Sequence, residues 1–153
     1  MTKRLKQIQI ANLDNRFAKM SFEPKPRTGW LKTIREALLM PLDFPARKMG
    51  ISKPSISRLE KNEIDETITL ASLRRLAEAM DCELHYAIIP HDKSLRKIIE
   101  KRAGQKAREA VKEVNKTMAL EDQKITDPES SIKRLAKEYV EDLNKNLWQN
   151  DKN

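Results

Sequence analysis

Ala46, Gly50 and Ile56 stand four and six residues apart within "PLDFPARKMGISKPSISRLEKN". This spacing constrains the chain more than any other feature. A short helix beginning at Asp43 needs a small residue where a second helix crosses it, and Ala46 meets that need. Gly50, about one turn on, has the backbone freedom to end the helix and turn the chain. Ser52 can cap the second helix, from which Ile56 returns an aliphatic side chain to the first; Leu59 continues that buried edge. Pro45 and Pro54 each fall in a first turn, where a missing N–H costs no helical bond. The segment therefore reads as two short helices across one turn, and the outer face of the second carries almost nothing apolar.

The remainder reads as helical too. The 153 residues are 39% hydrophobic and 35% charged, with three glycines and 5% aromatics. That composition suits helices with long solvated faces and disfavours a β-sandwich or a glycine-rich phosphate loop. Residues 3–20 form an amphipathic helix by period, and "SFEPKPRTG" is an irregular connector. Thr28 is the expected N-cap of a helix carrying Trp30, Leu31, Ile34 and Leu38, Asp43 that of the next, and Thr69 that of "LASLRRLAEAM". In "CELHYAIIP" the period changes to two, which reads as one short strand over 82–89. It has three readings: pairing with the irregular N-terminal segment, pairing with its own copy in a dimer, or a false period. A long charged helix runs from Ser94 to about Asp122, and a last one holds Ile132, Leu135, Tyr139, Leu143 and Trp148 on one side. The fold class is mostly α: a helix-turn-helix bundle over 28–90, an N-terminal helix and linker over 1–27, and a C-terminal helical extension over 91–153.

Ser52, Lys53, Ser55, Ser57 and Arg58 are left on the outward side of the second short helix, and Lys61 is grouped with them. Small hydroxyls let a helix sit deep in the DNA major groove, while cations reach phosphates and guanine edges. The formal charge of +8 is one-sided as well: residues 1–62 hold 14 Lys+Arg against 5 Asp+Glu, and residues 63–153 hold 17 against 18. A polyanion partner on the N-terminal side is the expectation, and double-stranded DNA fits it. The single cysteine, Cys82, excludes an internal disulfide and a zinc cluster. A strand would put Cys82 and His85 on opposite faces, so no metal or other cofactor is expected. No nucleophile triad or phosphate loop is present, so an enzyme is not expected either. No run approaches the roughly 20 apolar residues of a membrane span. "MTKRLKQIQIANLDNRF" also lacks the apolar core of a signal peptide, and a cytoplasmic protein is expected.

Residues 34–84, above all "GISKPSISRLEKNE" followed by "TLASLRRLAEAM", resemble the phage-repressor (Cro/cI or XRE-type) helix-turn-helix domain. The resemblance implies a dimer on an inverted-repeat operator. Pro41, Leu42 and Pro45 depart from the family pattern, which has Thr-Gln near 41–42 and an aliphatic residue at 45. Leu42 cannot make a glutamine's contacts, so recognition leans on residues 52–62. The whole chain is similar to a narrower family, mobile mystery protein A, through "RTGWLKTIREAL", "SKPSISRLEKNE", "TITLASLRRLAEAMDCELHYAIIP", "TMALEDQ" and the "LW" near the end. In that family the gene is typically paired with one for a Fic-domain protein, an enzyme class that transfers AMP from ATP to hydroxyls. The resemblance implies an autorepressing, antitoxin-like partner of such an enzyme; the alternative is a stand-alone repressor whose C-terminal helices dimerise.

Many Fic proteins are restrained by a helix bearing Ser/Thr-x-x-x-Glu-Gly/Asn, whose glutamate pairs with an active-site arginine. Thr117 and Glu121 in "TMALED" match that spacing, with Asp122 in place of Gly/Asn. Fifteen Ser/Thr and fourteen Glu supply about one such pair by chance. The motif therefore draws its weight from the resemblance, and the alternative is an exposed helix end.

Overall fold

A computed structural model of the chain describes residues 2–123 and 125–149. Among them are seven α-helices: α1 Lys3–Ala18, α2 Trp30–Ala37, α3 Asp43–Met49, α4 Lys53–Ile64, α5 Leu70–Ala79, α6 Leu95–Leu120 and α7 Pro128–Glu141. A 3-10 turn follows at Lys145–Trp148. The helices form two compact units, Ser21–Ala87 with α2 to α5, and Met1–Met20 with Ile88–Asn153, which holds α1, α6 and α7. The mostly-α expectation holds.

In the Ser21–Ala87 unit the core is Leu31, Ala46, Ile56, Leu76 and Met80, with Leu42, Met49, Ile51, Leu59 and Leu73 packed around it. Ala46 is buried where α3 meets α4, and Ile56 is 0% exposed. Gly50 has φ 65, and the N–H of Ile51 returns to the Ala46 carbonyl at 3.0 Å, closing α3. Ser52 and Thr69 cap α4 and α5 through Ser55 N–H and Ser72 N–H. Pro45 is fully buried in the first turn of α3.

Two of the expected caps are replaced. Thr28 does not cap α2; Gly29 occupies that position at φ 77, and the Thr28 hydroxyl meets the Thr33 hydroxyl at 2.7 Å. The free N–H groups of Trp30 and Leu31 donate instead to the carboxylate of Glu63, at 2.8 and 2.9 Å. Asp43 is the first residue of α3 rather than its cap, which is Leu42. Leu42 packs against the core, which accounts for an apolar residue at that position.

Residues 82–89 form no strand, contrary to the alternation of their sequence. They find no ladder partner among the described residues, and an unpaired strand cannot satisfy its backbone. Cys82 and Leu84 are half-buried, whereas Tyr86 and Ile88 are exposed, so the alternation stops serving a core midway.

In the other unit, Ile99, Ala103 and Leu147 form the core, with Ile10, Tyr139, Val140 and Leu143 packed against it. Ser94 caps α6 through Lys97 N–H, and the Asp14 carboxylate accepts from Leu95 N–H at 2.6 Å, Ser94 Oγ at 2.8 Å and Arg96 N–H at 3.2 Å. The last helix is shorter than its apolar period implies. It ends at Glu141, so Leu143 and Trp148 lie beyond it, and Leu147 rather than Trp148 is the buried residue of the 3-10 turn. Arg102 holds that turn by donating to the Leu147 carbonyl at 2.8 Å, and Lys106 does so through the Asn146 carbonyl.

Candidate nucleic-acid interface

The inner face of α4 positions its outer one. Ile56, Glu60 and Glu63 recur at helical spacing and are all buried. Ile56 fills the core. Glu60 accepts from Arg35 of α2 in a two-point pair, Nε to Oε1 at 2.5 Å and Nη2 to Oε2 at 3.1 Å, while Arg35 Nη1 donates to the Met40 carbonyl at 3.1 Å. The Glu60 carboxylate raises the Arg35 pKa, burial opposing it. Glu63, 6% exposed, caps the start of α2. Lys25 closes the far end of α4 by donating to the Glu63 carbonyl at 3.1 Å and to Glu66 Oε1 at 3.0 Å. One helix is thus pinned at the start of α2, along α2 and at its own C-terminus by charge-assisted bonds, which are shorter and stronger than neutral hydrogen bonds and add directionality that apolar packing lacks.

That pinning fixes which residues look outward. Ser52, Lys53, Ser57, Arg58 and Lys61 are exposed, and Ser55 is half-buried. Ser52 is partly engaged: its hydroxyl accepts from Ser55 N–H at 3.3 Å and lies 2.8 Å from Ser55 Oγ. Each hydroxyl still has bonding capacity for a base edge or phosphate. Lys53 Nζ lies 3.5 Å from Asp43 Oδ1, and Arg47 shares the same carboxylate at 3.2 Å. Arg58 and Lys61 form no ion pair among the described residues, so their charges are available without breaking an internal contact. Arg58 offers a planar two-point donor, the group best matched to O6 and N7 of guanine.

The sequence reading passed over α3. Arg47 and Lys48 are exposed there, with Lys48 Nζ 4.9 Å from the Phe44 ring centre. In helix-turn-helix proteins the first helix crosses the phosphate backbone, which is the role two cations beside the turn can serve. Their adjacency to Gly50 was the available signal.

Thr117 and Glu121 are both exposed. The Thr117 hydroxyl donates back to the Glu113 carbonyl at 3.1 Å. Glu121 is the C-cap of α6 rather than a residue within it, and Asp122 follows at φ 56. The Gln123 N–H then bonds the Met118 carbonyl at 2.9 Å, a closing pattern that favours Gly or Asn at position 122. His85 Nε2 lies 3.3 Å from Glu83, and the Cys82 thiol points to the Met80 carbonyl at 3.5 Å. No helix among the described residues is long and apolar enough to cross a membrane.

Residues 31–86 match the family model described as Helix-turn-helix, a span that takes in α2 to α5 and the segment after them. No curated protein and no solved structure gives a significant match. The chain therefore carries an XRE-type helix-turn-helix domain at residues 31–86, the DNA-binding domain of a sequence-specific transcriptional regulator.

Proposed function

We propose that the protein is a cytoplasmic autorepressor that binds an inverted-repeat operator as a homodimer, with α4 in the major groove, and that it also restrains a Fic-domain AMP-transferase. The observation that carries the DNA reading is the outer face of α4: three serines and three cations on a helix whose opposite face is pinned by Glu60 and Glu63. Ser52, Ser55, Ser57 and Arg58 are assigned to base edges and Lys53 and Lys61 to phosphates. The chain supplies no catalytic step in this reading. The test is binding to a duplex from upstream of its own gene against a scrambled duplex at physiological salt. A clear preference for the former is expected, and equal binding refutes the reading.

The antitoxin part rests on resemblance and on one favourable feature, an exposed Glu121 with no ion pair among the described residues. Labelled-AMP transfer by the Fic protein encoded beside this gene tests it. Inhibition by the wild type, relieved by Glu121→Gly without loss of the complex, is expected. Trp148, 54% exposed, is a candidate anchor for that complex, so Trp148→Ala should weaken it. If the wild type leaves transfer unchanged, or no Fic gene adjoins, the stand-alone repressor is the surviving reading.

A further inference from the structure

Dividing the charge by structural unit changes where the protein is basic. The Ser21–Ala87 unit holds eleven Lys+Arg against ten Asp+Glu, close to neutral. The unit built on α1, α6 and α7 holds twenty against thirteen. Of the +9 in residues 1–62, +4 lies in residues 1–20 and thus in the second unit, while the +5 of residues 21–62 is almost cancelled by the −4 of residues 63–87. The unit that reads DNA carries almost none of the charge that attracts it.

The surplus is concentrated on α6, with eight cations against three acids over Leu95–Leu120. Lys97, Lys101, Arg108, Lys112 and Lys116 are all exposed, and none is in an ion pair among the described residues. At 3.6 residues per turn they fall within about 100° of arc and extend over about 28 Å, the length of about eight base pairs at 3.4 Å each. Of the acids on this helix, Glu100 is paired with Arg96 at 3.0 Å, and Glu109 and Glu113 lie outside the arc. The remaining side of α6 is buried through Ile99, Ala103, Ala107 and Val111, and its other two cations, Arg102 and Lys106, are turned to carbonyls of the C-terminal segment. Gly104 lies about 20° outside the arc on the Lys97 side, and a Cβ there would meet only the Arg108 guanidinium, at 3.7 Å, so packing does not require the glycine. Its absence of a side chain leaves the helix surface open beside Lys101 and Arg108.

We infer that the outer face of α6 is a second DNA contact, a phosphate-binding stripe that adds affinity without sequence preference. The inference rests on the DNA-binding reading above and deepens it. A duplex is favoured over an acidic protein because the same chain carries a DNA-reading domain. Once that domain is bound, the stripe meets phosphate at high effective concentration. Unpaired cations in an acid-free row also suit a polyanion of uniform charge better than a protein surface of mixed sign.

The test is a variant with Lys97, Lys101, Arg108, Lys112 and Lys116 all changed to Gln, which keeps helix propensity and removes only charge. Its affinity for two 30-base-pair duplexes, one selected by the wild type from a random pool and one scrambled, is followed by fluorescence anisotropy from 50 to 200 mM KCl. The expected result is a loss on both duplexes with their affinity ratio unchanged, and a salt slope shallower by about 0.9 for each contact removed. The control Lys133→Gln/Lys137→Gln on α7 should leave the slope unaltered. A folded five-site variant, its circular dichroism matching wild type, that keeps the wild-type slope overturns the inference. So does a control that lowers the slope as much per charge. If the wild type proves to have no preferred sequence, the regulator reading fails, but the slope on the scrambled duplex still decides the stripe.

Discussion

Glu63 shows how one side chain fixes the placement of α4. Its carboxylate is buried, and both oxygens serve N–H groups at the start of α2, thirty-odd residues earlier in the chain. A Cβ on Gly29 would lie 2.7 Å from Glu63 Oε2, and φ there is +77, so glycine is required twice over. Glu63→Gln replaces one acceptor with a donor facing an N–H, and it should cost about 1–3 kcal/mol. A urea-unfolding midpoint within error of wild type would contradict this. Nothing local in the sequence announces the contact, because Glu63 stands among Lys61, Asn62 and Asp65 like any solvated residue. Ser52 and Thr69 were legible because an N-cap lies within three residues of the group it serves. Thr28 misled for the same reason: a hydroxyl in the right place was displaced by a stronger acceptor brought in by the fold.

At the level of elements, helix ends separate what was legible from what was not. Five helices close on a residue at positive φ followed by an N–H returning across the last turn: Leu39, Gly50, Glu66, Asp81 and Asp122. Only Gly50 signals its turn by residue type; the ends near Met80 and Asp122 were placed only by where the apolar period stops. Leu39 is 91% exposed at φ 52, so its strain is offset by no burial. Relief of that strain exceeds the added chain entropy of glycine. Leu39→Gly should therefore stabilise the Ser21–Ala87 unit by about 0.5–1 kcal/mol, and a lower thermal midpoint would count against this account. The start of α6 offers a pH test. Burial opposes ionisation of Asp14, but the Leu95 N–H, the Ser94 hydroxyl and the Arg96 N–H outweigh it and hold the pKa below the ordinary carboxylate value. A folded pKa below the unfolded one, about 3.9, gives stability that is present above the latter and lost as pH falls through the former. Asp14→Asn should flatten the fall in stability below about pH 5 without abolishing it. Asp127 and Asp142 in the same unit are also lowered, by Ser130 and by Lys3 respectively. Identical pH profiles for wild type and Asp14→Asn would show that the contact contributes nothing.

Across the whole molecule, the units divide the charge differently from the order of the chain. The helix-turn-helix spacing was readable at Ala46, Gly50 and Ile56 because it is local, and the family match at residues 31–86 covers that stretch. Which cations go together was not readable, since α1 joins α6 and α7 across some seventy residues of the other unit. With a near-neutral helix-turn-helix unit and a basic second unit, the proposed reading makes specificity and bulk affinity separable. The central claim is that α4 selects the sequence, and the most direct measurement is enrichment from a randomised duplex pool by wild type and by Arg58→Ala. The wild type should enrich two half-sites in inverted repeat, centred about 34 Å or 10–10.5 base pairs apart. Arg58→Ala should lose preference at one base pair in each half-site, by about 1–3 kcal/mol, and keep the rest. A wild type that enriches no motif, or an Arg58→Ala profile superimposable on the wild type's, would contradict the account.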